Sequence, residues 1–258
     1  IRRDRVPRAP SGVGLCTRRS DEGNPGMTTV RTTDRRLPRW LWLWFPPVLL
    51  LLIVPIKVID PAFYAAHIDG ELGLIELATP LLSIIGAIIG FRLLGISAKL
   101  PSQRLRLWVF LTMLGCVYFA GEELSWGQHL FGWGTPAYLE AVNDQEETNL
   151  HNISSWFDQK PRLLLEIWVL VGGVILPLTR LARGQSYDRA DERYWFWPTT
   201  ELLPTAALAI LVRLPERIKS LFDIAQLPLE LRFSEPQEYY FALFLLLYLL
   251  SIDRRLRG

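Results

Sequence analysis

The sequence predicts an all-α integral membrane protein, a polytopic helical bundle of about six transmembrane helices with both termini in the cytoplasm. Half of the 258 residues are hydrophobic, and they are concentrated in blocks instead of alternating with polar residues as in a soluble fold. Lys and Arg recur in alternate connecting segments. This distribution is typical of a multi-pass protein that keeps those segments on the cytoplasmic side.

The first 39 residues form a basic tail that precedes the membrane domain, residues 40–258. The tail contains 10 Arg and 4 acidic residues and is rich in Arg, Pro, Gly and Ser, without hydrophobic periodicity. We expect it to be disordered or to be an over-extended gene start, with Met27 as the natural first residue. Outside the tail, 18 basic and 22 acidic residues remain. The absence of a continuing basic face excludes a typical nucleic-acid-binding protein.

Six apolar blocks are predicted to span the membrane. A spanning helix needs about 20 residues, with a range of roughly 17–25. The first four blocks meet this length, the fifth is interrupted by Pro198, Glu201 and Pro204, and the sixth is short but dense in Leu, Phe and Tyr. The predicted spans are residues 40–59, 72–94, 105–121, 163–181, 196–214 and 236–252.

Charge counting sets the expected orientation. Basic residues cluster before the first block, between the second and third, between the fourth and fifth, and after the sixth, so these segments are predicted to be cytoplasmic. The outer loop, residues 122–161, contains seven acidic residues and one Lys. Segment 213–235 breaks the pattern, and we interpret it as an amphipathic helix at the membrane interface. If the fifth block is re-entrant, the C-terminus lies outside instead.

Two outer connections carry helix-start signals. Asp60 followed by Pro61 reads as an N-cap with proline at the first helical position, which predicts a short interfacial helix over residues 61–67. Thr135 followed by Pro136 has the same pattern and predicts a brief helix that ends near Val142.

Two polar motifs fall on the predicted outer side, "GEELSWGQHLFGW" from Gly121 and "NDQEETNLHN" at residues 143–152. If the third helix continues past Gly121, its residues Glu122, Ser125 and His129 share one face. The predicted catalytic residues are Glu122, Glu123 and His151. The predicted binding residues are Ser125, Trp126, Gln128, Gln145, Asn149, Asn152, Glu76 and Glu166. The last two lie inside apolar blocks, where an ionisable side chain usually faces the bundle interior or a polar cavity.

Three kinds of chemistry fit these residues. His151, Glu147 and Glu123 are suitable ligands for a divalent metal such as zinc, with another Glu as base. Without metal, two neighbouring carboxylates are suited to acid/base catalysis. Intramembrane acids also relay protons or bind cations in transporters. Against these stands a simpler interpretation, in which Glu122 and Glu123 solvate a helix end and Trp126 belongs to an interfacial aromatic belt.

The two motifs resemble those of a family of bacterial multi-pass membrane proteins. That family has Glu-Glu-aliphatic-Ser-Trp-Gly-Gln followed by Asn-x-Gln-x-Glu-x-Asn-Leu-His-Asn, and "DGELGLIE" at residues 69–76 resembles an acidic glycine-containing motif upstream in it. The resemblance covers residues 69–152. At the position of His129 the family often has Arg, which weakens a ligand role for that residue. The resemblance implies a bacterial inner-membrane protein but implies no activity.

The leading functional hypothesis is a metal-dependent hydrolase or transferase that acts on a lipid or lipid-linked substrate, with membrane lipids as its partners and its site on the extracytoplasmic side. A second hypothesis is an ion- or proton-coupled transporter, which requires acids aligned through the bilayer, with Glu201 continuing the path. A third is a non-catalytic scaffold, for which conservative changes at Glu123 and His151 have no effect.

Overall fold

A computed structural model describes residues 36–69, 73–135, 155–225 and 233–258, with the backbone alone at 129–130 and 155–158. All regular structure in these residues is helical. Four helices are long and apolar enough to cross a membrane: Trp40–Ile59, Leu74–Lys99, Gln103–Glu123 and Gln159–Arg183. The all-α class is confirmed, and these four helices coincide with the first four predicted blocks. The total of six spans and the orientation stay predictions.

The helices follow one another with short connections. The first five are α1 (Trp40–Ile59, with π-helical turns at Trp40–Trp44), α2 (Pro61–His67), α3 (Leu74–Ile96), α4 (Gln103–Glu123) and the single turn α5 (Gln128–Phe131). Helix α6 joins three segments, Ser155–Trp168, the π-helical Val169–Ile175 and Leu176–Arg183. The last four are α7 (Glu192–Phe196), α8 (Leu203–Leu211), α9 (Leu214–Leu221) and α10 (Ser234–Arg257).

The short helix predicted after the first block is present as α2, and its position at a membrane interface stays a prediction. The Asp60 carboxylate accepts a hydrogen bond from the Phe63 N–H at 2.9 Å, and Pro61 occupies the first helical position. This cap supplies one of the acceptors that the first turn of a helix lacks. The helix predicted after Thr135 lies outside the described residues, as does the tail up to residue 35.

Helix α10 forms the centre of the bundle. Every residue from Tyr239 to Leu249 is buried, and the helix packs against α3, α4 and α8. Its tyrosines, glutamine and flanking acids keep it less apolar than the four candidate spans. Because neighbouring helices surround it, it does not need a lipid-facing stripe.

The outer helices keep large apolar side chains exposed. Leu51 on α1, Phe91 on α3 and Leu164 on α6 are exposed to 69%, 72% and 70%. Such extensive apolar exposure is unfavourable in water and favourable against lipid tails. The exposed faces therefore support membrane association.

The fifth predicted block is broken into short helices. Helix α8 has nine residues, so it is about 13.5 Å long, less than half of a bilayer core. The residues before and after α8 nevertheless contact opposite ends of α10. Glu201, before α8, interacts electrostatically with Arg255 near the C-terminal end of α10. Arg213, after α8, donates to Gln237 Oε1 near its N-terminal end at 3.2 Å. Helix α8 therefore runs antiparallel to α10. Whether this segment counts as a span stays a prediction.

The predicted interfacial segment 213–235 begins with helix α9. Its exposed Leu214, Ile218 and Leu221 share one face of the helix, and Lys219 lies on the other, so the helix is amphipathic. Its position at the membrane interface stays a prediction. Residues 226–232 of this segment lie outside the described part of the chain.

Candidate functional site

A crevice with a volume of about 360 Å³ lies between α4, α6 and α10. Each helix contributes one stripe of side chains at helical spacing, which places the stripe on a single face. The α4 stripe is Trp108, Leu111, Thr112, Gly115, Tyr118, Phe119, Glu122 and Glu123; α6 adds Pro161, Arg162, Leu164, Leu165 and Trp168; α10 adds Glu238, Phe241 and Leu245. From Trp108 to Glu122 the α4 stripe extends about 21 Å at 1.5 Å per residue.

The charged groups of the crevice are all at one end. Glu122 and Glu123 end α4, Arg162 lies near the start of α6, and Glu238 lies in the first turns of α10. An Arg162 Nη1–Glu238 Oε1 ion pair of 2.9 Å joins α6 to α10. The same guanidinium donates from Nη2 to Gln237 Oε1 at 3.1 Å. Three carboxylates and one guanidinium therefore line this end, which is net negative when all are ionised.

Glu122 and Glu123 have different surroundings although they are adjacent. The buried Glu122 accepts a hydrogen bond from Trp126 Nε1 at 2.7 Å. Glu123 interacts electrostatically with Glu238, Glu76 and Glu235 and with Arg162, but it makes no hydrogen bond to the described part of the chain. The carboxylate of Glu123 therefore remains available to a ligand in the crevice.

The turn after α4 explains much of the "GEELSWG" motif. Helix α4 ends at Glu123, and Ser125, Trp126 and Gly127 have φ values of 46°, 54° and 102°. Two consecutive non-glycine residues in the left-handed region are uncommon and carry strain. The Trp126 ring is held by Glu122 and lies against Gly121, where a Cβ would be 2.9 Å from the ring carbons. The sharp turn means that the helix does not continue toward His129, so the proposed shared face does not form.

The opposite end of the crevice is closed by aromatic rings. Trp108 and Trp168 have ring centroids 5.4 Å apart, and Trp168 is 5.0 Å from Tyr248 of α10. Trp108 Nε1 donates to Tyr248 Oη at 2.8 Å. Between these rings and the charged end the walls are mainly apolar, and Thr112 donates its hydroxyl to the Trp108 carbonyl at 2.8 Å within α4. The crevice is thus amphipathic along its length.

Gly115 gives the crevice its width midway along α4. A Cβ at this position would contact nothing within 4 Å. By contrast, a Cβ at Gly90 of α3 would lie 2.7 Å from Met113 Cβ on the other side of α4. The glycine in the crevice leaves space open, whereas the glycine in the α3–α4 interface permits close packing.

The other predicted site residues are distributed unevenly. Ser125 is buried in the turn after α4, and Gln128 donates to Thr135 Oγ1 at 3.0 Å. Glu76, near the start of α3, belongs to the electrostatic surroundings of Glu123. Glu166 forms an ion pair with Arg217 of α9 instead of lining the crevice. Gln145, Glu147, Asn149, His151 and Asn152 lie outside the described residues.

The predicted metal site therefore stays a prediction. Of its ligands, only Glu123 belongs to the described part of the chain. Within that part there is no group of three His, Cys, Asp or Glu side chains arranged to hold a metal ion.

Sequence reasoning missed Arg162 and Glu238 as site residues. Arg162 is the first basic side chain after the acid-rich outer loop, and Glu238 lies in the first turns of the sixth block. These positions gave a weak signal that both face the outer side. Their pairing across 76 residues depends on the packing of α6 against α10, which no local pattern encodes.

Comparisons of the chain with protein-family models, with curated proteins and with solved structures found no match.

Proposed function

We propose that the crevice binds one lipid or lipid-linked molecule and that the protein acts on its polar group as a hydrolase or transferase. The observation that carries this proposal is the position of Glu123, a carboxylate without a hydrogen bond to the described residues, at the charged end of an otherwise apolar crevice. We place this end at the extracytoplasmic face of a bacterial inner membrane, following the distribution of Arg and Lys.

The shape of the crevice supports an amphipathic ligand. An acyl or prenyl chain would be buried against Leu111, Leu165, Phe241 and Leu245, where contact with apolar walls is favourable. Its polar group would then lie beside Glu123 and Arg162. A soluble polar molecule would leave these walls unmatched, whereas a lipid can enter sideways between helices.

The carboxylate cluster supports general acid/base catalysis. Arg162 neutralises Glu238 directly, and Glu122 holds Trp126, so both of these acids already have partners. Glu123 lies next to them and is half-buried in the crevice. A carboxylate that no hydrogen-bond donor of the described chain engages is suited to exchange a proton with a substrate bound beside it. We assign this exchange to Glu123, and we assign Glu122 to holding the turn.

Filling the crevice tests whether a ligand occupies it. Gly115→Leu places a side chain in open space that lines the crevice, and Gly95→Leu places the same side chain in open space on α3, outside it. We expect native mass spectrometry to detect a co-purified lipid on the unaltered protein and on Gly95→Leu, and to detect much less on Gly115→Leu. Equal lipid on all three proteins would contradict binding in the crevice.

Removing the proposed base tests the chemistry separately. Glu123→Gln keeps the shape of the side chain, so the lipid should stay bound while turnover falls by about 10²- to 10⁴-fold, the usual contribution of a general acid or base. The measurement is mass spectrometry of a bacterial lipid extract incubated with the purified protein. Glu192→Gln, at the exposed start of α7, is the control and should be fully active. Unchanged turnover in Glu123→Gln would refute catalysis by this residue and favour the scaffold.

The metal hypothesis has its own measurement. If His151, Glu147 and Glu123 bind zinc or another divalent ion, purified protein should contain about one equivalent of metal by elemental analysis. His151→Ala should lose it. Absence of metal from both proteins would leave a metal-free acid/base mechanism, and the Glu123→Gln result would decide that mechanism on its own.

Ion-coupled transport finds less support along the crevice. A proton or cation path needs polar or ionisable groups through the bilayer depth. Beyond the charged end, the described walls contain Thr112 and aromatic hydroxyl or indole groups but no ionisable carboxylate. Glu201 lines a different cavity, at the other end of the bundle.

A further inference from the structure

The charged end of the crevice contains a donor and an acceptor that the described residues leave without a hydrogen bond. Arg162 lines the crevice, and its Nε is buried without a partner among the described residues. Glu123 lines the same end, and its carboxylate receives no hydrogen bond from those residues. An arginine nitrogen only donates, and an ionised carboxylate only accepts. An unpartnered buried donor is costly, so a ligand that accepts from Arg162 would be stabilising.

The positive charge of Arg162 is already compensated. Its Nη1 forms the 2.9 Å ion pair with Glu238, and its Nη2 donates to Gln237 Oε1 at 3.1 Å and to the Ser234 carbonyl at 3.4 Å. Gln237 is fully buried, and its Oε1 also accepts from Arg213 Nη1 at 3.2 Å. Helix α10 thus engages both terminal nitrogens of Arg162 but not its Nε. To a ligand, the guanidinium therefore offers a fixed donor and not an uncompensated charge.

The surroundings of Glu123 oppose an additional negative charge. Its carboxylate interacts electrostatically with those of Glu76, Glu235 and Glu238, which come from α3 and α10. Like charges that are brought together in one site repel each other. A phosphate or carboxylate bound beside Glu123 would therefore meet several acids, whether Glu123 itself is ionised or protonated.

Three kinds of polar group fit this pair differently. An anionic group accepts from Arg162 Nε but is repelled by the carboxylates. An ammonium group donates to Glu123 but has no acceptor for Arg162 Nε. A hydroxyl or an amide both donates and accepts, so it can satisfy both residues, and moving it out of water costs less than moving a charged group.

A purely structural role explains part of this arrangement. Arg162 joins α6 to α10 through Glu238 and Gln237, and this accounts for the contacts of its terminal nitrogens. That role does not account for the unpartnered Nε, for the unengaged carboxylate of Glu123, or for the crevice that both residues line. An uncharged polar group between the two residues explains all three observations.

We propose that the crevice selects a neutral lipid whose polar group is a hydroxyl or an amide, which donates to Glu123 and accepts from Arg162 Nε. This inference rests on the proposed function, because it names the ligand class of the same crevice. The hydrocarbon chain lies against the apolar walls, as Leu111 and Phe241 allow. The substrate class thereby narrows to uncharged lipids, and lipids with a phosphate headgroup are disfavoured.

Thermal unfolding of the full chain in detergent tests this selectivity with lipids that share one hydrocarbon chain. The probes are oleyl alcohol, oleamide, oleic acid, oleylamine and oleoyl lysophosphatidylethanolamine, compared at equal mole fraction in the detergent. A ligand that binds only the folded protein raises its Tm. Oleyl alcohol and oleamide should bind roughly tenfold more tightly than the other three, which corresponds to about one hydrogen bond with a charged group. An equal or larger Tm shift from oleic acid or from the zwitterionic lipid would overturn the proposal.

Blocking the crevice separates this inference from the proposed function. Gly115→Leu should abolish the Tm shifts of oleyl alcohol and oleamide, since its side chain enters the crevice. If all five lipids bound equally to the unaltered protein and none bound to Gly115→Leu, the crevice would still be a lipid site and only the selectivity would be refuted. Binding of none of the lipids to the unaltered protein would contradict both.

Two variants and a control assign the selectivity to Glu123 and Arg162. Glu123→Gln removes a negative charge but keeps an acceptor, so the preference for oleyl alcohol over oleic acid should shrink by roughly tenfold. Glu192→Gln, at the exposed start of α7, is the matched control and should keep the full preference. Arg162→Lys keeps the charge opposite Glu238 but lacks Nε, so oleyl alcohol and oleamide should bind roughly tenfold more weakly. An unchanged preference in Glu123→Gln, or unchanged binding in Arg162→Lys, would overturn the proposal.

Discussion

Helix α4 is tightly packed on one face and open on another. Toward α3 it is closed, because Gly90 and Gly86 of α3 let Met113 and Cys116 approach to near contact. Toward α6 it is open, because Gly115 faces empty space, and a contact between the two helices is the Trp108–Trp168 ring pair at one end. Membrane helices gain stability from such close packing. The open face of the same helix lacks this close packing, and our proposal assigns it to a bound ligand.

The largest contrast is expected from adding one methyl group to each face. Alanine normally stabilises a helix relative to glycine by about 0.5–1 kcal/mol. At Gly90 we expect alanine to lower the stability instead, since the new Cβ would lie 2.7 Å from Met113 Cβ. Helices α3 and α4 would have to separate, at a cost of about 1–3 kcal/mol. Gly115→Ala should retain the normal gain. Thermal unfolding of Gly90→Ala and Gly115→Ala measures the difference.

If Gly90→Ala and Gly115→Ala changed the stability in the same direction, the proposed difference between the two faces of α4 would be contradicted. If Gly115→Ala were as destabilising as Gly90→Ala, the α6 side of α4 would be packed as tightly as the α3 side. Gly95→Ala serves as the control, because a Cβ there also contacts nothing within 4 Å.

The second-largest contrast in stability is expected between the two adjacent carboxylates at the end of α4, Glu122 and Glu123. Glu122→Gln replaces a charged acceptor of the Trp126 N–H by a neutral one, so we expect a loss of about 1 kcal/mol, the difference between charged and neutral hydrogen bonds. Glu123→Gln removes one of several carboxylates that repel each other, and stability should be unchanged or higher. Unfolding of the two variants under the same conditions measures this. A greater loss for Glu123→Gln than for Glu122→Gln would mean that Glu123 is the structural residue.

Local signals in the sequence were reliable where chemistry within a few residues decides the structure. The Asp60–Pro61 cap depends on neighbouring atoms, and helix α2 begins where it predicts. The long apolar blocks were equally clear, because a membrane-spanning helix satisfies its own backbone. The central position of α10 was not apparent, since hydropathy does not distinguish a helix surrounded by protein from one that faces lipid.

The site was less predictable because it depends on distant contacts. The left-handed conformation of Trp126 is maintained by Glu122 and by the space above Gly121, and residue types alone did not indicate that the helix would stop there. Glu166 looked like a member of the site because an acid inside an apolar block needs a partner. It has one in Arg217, 51 residues away, which periodicity could not identify.

The smallest effect is expected at Thr112, the hydroxyl on the open face of α4. Its Oγ1 already donates to the Trp108 carbonyl at 2.8 Å, so it offers little to a ligand, and Thr112→Val should change stability by no more than about 0.5 kcal/mol. Lipid retention and turnover should both remain close to those of the unaltered protein. This outcome would locate the polar chemistry at Glu123 and Arg162, whereas a loss of turnover comparable to that of Glu123→Gln would extend the reacting groups to the middle of the crevice. In that case a polar path through the bilayer, and with it transport, would gain the support that the described walls do not give it.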